Sequence, residues 1–204
     1  MKVKNLILLV LTTMSVNLAA QDFAKLSVAF TESYAKEKEG KYADAAKPLK
    51  AMYDEKSYEV NLRLGWLTYL QGQFSESVGY YSKAIELMPY AIEPRLGIVL
   101  PASAMGNWGS VVEQYNKILS IDPNNTLVLY RMGMISYENK DFKKAYTYFE
   151  KVVNLYPFDY YSVLMLGWTN YQLGKTKEAK ILFQKALLYD PTSASAKEGL
   201  SLLK

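Results

Sequence analysis

Four prolines, Pro89, Pro123, Pro157 and Pro191, stand 34 residues apart, and the residue types in front of them recur in the same register. Ala84, Ile118, Val152 and Ala186 lie five places before each proline; Tyr81, Tyr115, Phe149 and Phe183 lie eight before. Further upstream come Ser77, Val111, Ala145 and Ala179, then Phe74, Trp108, Phe142 and Thr176, then Gly72, Gly106, Lys140 and Gly174. A second glycine occurs seven residues earlier at Gly65, Gly133 and Gly167, with Val99 in the remaining unit. A period of this length is that of a repeat architecture, in which one supersecondary unit buries its apolar face against the next.

Each unit reads as two amphipathic helices joined by a short turn. The turn glycine supplies a positive φ that ends the first helix, as in Gln71-Gly72-Gln73 and Leu173-Gly174-Lys175. Small residues such as Ala145 and Ala179 let the helices approach, and the aromatic four places later fills the space beside them. The proline stops the second helix, and Asp122-Pro123-Asn124-Asn125 and Asp190-Pro191-Thr192 join that stop to polar caps for the next helix.

This pattern resembles the tetratricopeptide repeat family, whose consensus is matched by Leu64-Gly65, Gly72, Phe74, Tyr81, Ala84 and Pro89. The resemblance implies an all-α, right-handed superhelical solenoid of antiparallel helix pairs. Five repeats are expected, 26–57, 58–91, 92–125, 126–159 and 160–193, with a capping helix over 194–203. The first is degenerate: Gly40, Tyr42, Ala45, Leu49 and Met52 follow the pattern, but the next unit begins two residues early and Ser57 replaces the terminal proline. In the third unit Pro94 suits a first helical turn, whereas Pro101 falls inside the helix and removes the hydrogen bond to the Gly97 carbonyl, which predicts a kink.

Residues 1–20 have another character. Lys2 and Lys4 precede an apolar run from Leu6 to Val16, and Leu18-Ala19-Ala20 ends in small residues, the order of a secretory signal peptide. The run is well short of the ~20 residues that span a bilayer. Cleavage after Ala20 is expected, leaving 21–204 as a single domain in the periplasm or cell exterior with no integral membrane span; the chain has no Cys to carry a lipid anchor. The charge of +4 then falls to about +2, with 22 basic against 20 acidic residues, and no cluster of Lys and Arg marks a nucleic-acid footprint.

The absence of both Cys and His removes the usual ligands of zinc, copper and haem, the thiol nucleophile and the commonest proton-transfer group. No metal, cofactor or catalytic residue is assigned. Gly167 with Gly174-Lys175-Thr176 has the wrong spacing for a phosphate loop, and Ser33-Tyr34-Ala35-Lys36 lacks the companion motifs of serine acyl enzymes.

In the family the first helices line a concave groove. The places implied to face it hold Phe30 and Tyr34; Leu62, Arg63, Trp66 and Tyr69; Glu93, Leu96 and Leu100; Tyr130, Arg131, Met134 and Tyr137; and Tyr161, Trp168 and Tyr171. Trp, Tyr and Arg dominate binding energy in many interfaces, so a non-catalytic scaffold holding a peptide segment or partner helix is expected. Each ring also has a packing role open to it between repeats. Arg63 and Arg131 have Glu93 and Glu138 as expected neutralising neighbours. The family's carboxylate-gripping places hold Leu62, Trp66, Gly97, Leu127 and Arg131, which leaves one cation and argues against that mode. Two alternatives remain open: a glycan or peptidoglycan binder using the same rings, and self-association through the terminal units.

Overall fold

A computed structural model describes residues 23–203; the proposed leader lies outside the described residues. All regular structure among them is helical. Helix α1 occupies residues 23–38, followed by α2 (Tyr42–Lys50), α3 (Tyr58–Leu70), α4 (Phe74–Leu87), α5 (Glu93–Ala104) and α6 (Trp108–Ile121). Then come α7 (Thr126–Glu138), α8 (Phe142–Leu155), α9 (Tyr160–Gln172), α10 (Thr176–Tyr189) and α11 (Ala194–Ser201). The contacts divide into two compact units, one reaching to Val111 and the other running from Val112.

The punctuation follows the chemistry of the turns. Gly40, Gly72, Gly106 and Gly174 hold φ between +71° and +75°, and Lys140 takes the same left-handed conformation at φ 61° without the freedom of a glycine. Helices α4, α6, α8 and α10 each end two residues before a proline. The next helix is opened by a side-chain cap in most repeats: Ser57 accepts from the Val60 N–H, Asn125 from Val128, Asp159 from Ser162 and Ser193 from Ala196. Helix α5 runs through Pro101 without a break, and Pro101 is buried.

In the first unit α3 packs on α2, α4 and α5; in the second α9 packs on α8, α10 and α11, and α8 packs on α7. The core of the first unit gathers Ala45, Leu49, Val60, Leu64 and Leu67; that of the second gathers Phe149, Val163, Phe183 and Ala186. One device recurs between neighbouring repeats. The buried Tyr81 ring lies between Gly65 of its own repeat and Gly97 of the next, and the buried Phe183 ring lies between Gly167 and Gly199 in the same way. A methyl group on Gly97 would come within 2.5 Å of Tyr81 Cζ, so the ring occupies the volume a side chain would need.

Candidate functional site

In the first unit the expected groove residues are largely spoken for. Arg63 is buried; its Nη1 forms an ion pair with Glu37 of α1 and its Nε donates to Ser33 Oγ at 3.2 Å. Its guanidinium carbon lies 3.9 Å from the centre of the Tyr34 ring. The ion pair is made not with Glu93, the expected neutralising neighbour, but with Glu37, which the last turn of α1 brings beside the middle of α3. Trp66 donates its indole N–H to the same Glu37 carboxylate at 2.6 Å and stacks towards Tyr69, which in turn meets Phe74. Phe30 is half-buried against the core, whereas Tyr34 stays exposed. Among the places on α5, Leu96 is half-buried, and Glu93 and Leu100 are exposed.

In the second unit Met134, Tyr137, Trp168 and Tyr171 pack against the core cluster. Trp168 donates to Ser195 Oγ of α11 at 2.9 Å and sits edge-on to Phe183 with ring centres 4.9 Å apart. Both tryptophans of the expected groove therefore spend their N–H on a neighbouring element, the preceding repeat for Trp66 and the capping helix for Trp168. Arg131 is exposed, and among the described residues it makes no ion pair; Glu138, the expected counter-charge, lies exposed at the end of the same helix.

Tyr130 and Tyr161 have a different fate. They line an open pocket of about 680 Å³ with Thr126 and Leu127 from the head of α7, Val152 and Leu155 from the tail of α8, the turn from Tyr156 to Asp159, and Ser162. Leu127, Leu155, Tyr156, Phe158 and Tyr161 are all exposed at its mouth. Tyr130 is half-buried, its ring edge-on to Phe149 at 5.7 Å, and burial pushes its phenol pKa above the usual range. The turn is held from below: Tyr189 Oη donates to the Pro157 carbonyl at 2.7 Å and its ring stacks on Phe158 at 4.1 Å. The Asp159 carboxylate is committed to the Ser162 N–H at 2.8 Å. The pocket thus offers aromatic and aliphatic walls on a fixed frame, with its one acid already engaged.

Leu127 as a pocket wall, Tyr156 and Phe158 escaped the sequence reading, but a sign of the two aromatics was present. The places of Tyr156 and Phe158 hold Asp122 and Asn124 one repeat earlier and Asp190 and Thr192 one repeat later. There the aspartate closes the turn: Asp122 accepts from Asn124 N at 3.1 Å, and Asp190 from Thr192 N at 2.9 Å. Tyr156 and Phe158 replace a self-satisfied polar turn by two exposed rings.

Residues 126–159 and 160–193 each match a model of the tetratricopeptide repeat. Among solved structures, a tetratricopeptide repeat protein from Parabacteroides merdae superposes with a TM-score of 0.74 at 19% identity, over 88% of this chain and 72% of that one. MamA from Desulfovibrio magneticus gives 0.69 at 17% identity, over 83% of this chain and 97% of that one. YrrB, described as a repeat protein of this kind with an unusual peptide-binding site, gives 0.64 at 19% identity, over 74% of this chain and 77% of that one. These likenesses show the fold. A sequence match to the RNA polymerase-associated protein CTR9 of Caenorhabditis elegans, 27% identical over 92 residues, takes in 45% of this chain and only 8% of that protein. No described helix is long and apolar enough to cross a membrane.

Proposed function

We propose that this chain, a tetratricopeptide repeat protein, is a non-catalytic scaffold that holds a peptide segment of another protein, with apolar side chains of that segment seated in the Tyr130–Tyr161 pocket. The observation that carries the reading is the exposure of Tyr156, Phe158 and Tyr161 around an apolar pocket. Exposed rings grouped at a concave site bring large contact area at little cost in side-chain entropy. The peptide-binding description of YrrB supports the same use of the fold. The charged n-region, apolar run and small residues of positions 1–20 support export, so the partner is sought in the periplasm or outside the cell.

A random dodecapeptide phage library panned on the full chain tests the reading. Selected peptides, rich in aromatic or branched apolar residues, should bind in fluorescence anisotropy and lose at least tenfold in affinity to Phe158→Ser and Tyr161→Ser variants. Selection of nothing, or equal binding by the variants, overturns it. Binding of peptidoglycan fragments through the same two residues would transfer the site to a glycan. N-terminal sequencing of exported protein should begin at Gln21; a start at Met1 would remove the argument for export by a cleaved leader.

A further inference from the structure

Helix α1 has one face that nothing among the described residues covers. Phe23, Val28 and Tyr34 are 74%, 67% and 51% exposed, and Ala24, Thr31 and Ala35 are exposed with them. At about 100° per residue these six fall on one side of the helix, opposite the buried Ala29 and Ser33. No charge interrupts the face between Phe23 and Ala35. The exposed side of α10, by contrast, carries Lys177 and Lys180 beside its apolar Ile181, as a solvated helix should. Lys25 and Glu32 border the α1 face on one edge, both exposed, and neither forms an ion pair among the described residues.

We propose that a second copy of this chain covers the face, the two α1 helices packing antiparallel about a two-fold axis. A two-fold contact requires a surface that is complementary to itself, and the order of residues along α1 meets that condition. In an antiparallel pair centred near residue 29, Ala24 lies opposite Ala35 and Val28 opposite Thr31, so small side chains meet along the seam. A two-fold axis of this kind brings each edge of the helix against the same edge of the other copy. On one edge Phe23 then meets Tyr34, ring against ring; on the other Lys25 meets Glu32, cation against anion, each twice. The face of Tyr34 turned away from Arg63 is the one available to the second copy. A different partner would have no need of this reversed symmetry.

The test is sedimentation velocity of the full chain over a concentration series. A rise from the monomer to twice the monomer mass is expected. Val28→Glu should abolish it by placing two carboxylates in the seam. Lys25→Glu sets two like-charged contacts on one edge and Glu32→Lys does the same with opposite sign; each should weaken the dimer at least tenfold. The double variant Lys25→Glu/Glu32→Lys recreates both pairs with their charges exchanged and should return the affinity to within about threefold of the parent. All three changed positions are exposed, so circular dichroism should not move. The chain has no Cys, and Ala24→Cys/Ala35→Cys should give a disulfide-linked dimer under mild oxidation, because the two positions stand about 16 Å apart within one helix. A monomer at every concentration, or a dimer indifferent to Val28→Glu and to the charge exchanges, overturns the proposal.

Discussion

Gly97→Ala and Gly79→Ala place the same methyl group on two helical glycines of the first unit, and the structure assigns them opposite signs. Around Gly79, on the exposed side of α4, an added Cβ meets nothing within 4 Å, so the substitution removes only the entropic handicap of glycine and should stabilise by about 0.5–1 kcal/mol. At Gly97 the Cβ would come within 2.5 Å of Tyr81 Cζ and 2.8 Å of Cδ1. The ring has little room to retreat, because it is buried and packs so close to Gly65 that a Cβ there would also stand 3.0 Å from it. Overpacking of this kind costs about 1–3 kcal/mol, from which the better helix propensity of alanine recovers about 1 kcal/mol. Thermal unfolding followed at 222 nm should show Gly79→Ala raising Tm by roughly 1–4 °C and Gly97→Ala lowering it by up to roughly 8 °C, taking about 2–4 °C per kcal/mol for a chain of this size. Combining Gly97→Ala with Tyr81→Val should destabilise by less than the sum of the two, since the smaller side chain makes room for the methyl. Equal stabilisation by the two alanines would refute the wedge between repeats.

Lys140→Gly should stabilise by about 1 kcal/mol in a urea titration, because Lys140 alone among the turn residues holds a left-handed φ with a Cβ in the way. Glu37→Ala should destabilise by about 3 kcal/mol, since it strands the buried Arg63 cation, while Glu37→Gln keeps the Trp66 hydrogen bond and should cost less. Burial pushes the Tyr80 phenol up to about 12, with Glu76 adding to the rise. Its neutral form is favoured by the fold, so that contribution to stability is complete below pH 10, the unfolded value, and is lost as pH climbs from 10 towards 12. Absorbance at 295 nm should show a class of tyrosines titrating late in the native protein, and Tyr80→Phe should remove one member of it.

Helix pairing, turn placement and caps were legible because each rests on local chemistry. A proline cannot continue a helix, a glycine accepts positive φ, and Asn125 or Ser193 before an apolar run can bond the first free N–H groups. The candidate site was only half legible, and the reason lies between repeats. Periodicity puts Trp66, Tyr130, Tyr161 and Trp168 on comparable helix faces, but it does not reveal whether a neighbour supplies a polar atom for the ring. Glu37 and Ser195 do so for the tryptophans, and no described residue does so for Tyr161. The glycine wedge was missed for a related reason. Repeat three has Val99 where its neighbours have glycine, yet Gly97 receives the Tyr81 ring from the repeat before.

Turns decide whether the pocket in the second unit is a by-product of folding. Closing the α8–α9 turn with the residues of its neighbours, Tyr156→Asp with Phe158→Asn, copies the arrangement in which Asp122 accepts from Asn124 N. The exchange gives up the Phe158–Tyr189 stack, worth about 0.5–1.5 kcal/mol, and gains a side-chain-closed turn of similar value. Asp159 still caps α9, since its bond to Ser162 does not involve either ring. Thermal stability should therefore stay within about 4 °C of the parent, while affinity for the selected peptides falls at least tenfold. A large loss of stability would show that the two rings hold the repeats together; retained affinity at unchanged stability would move the partner to another surface.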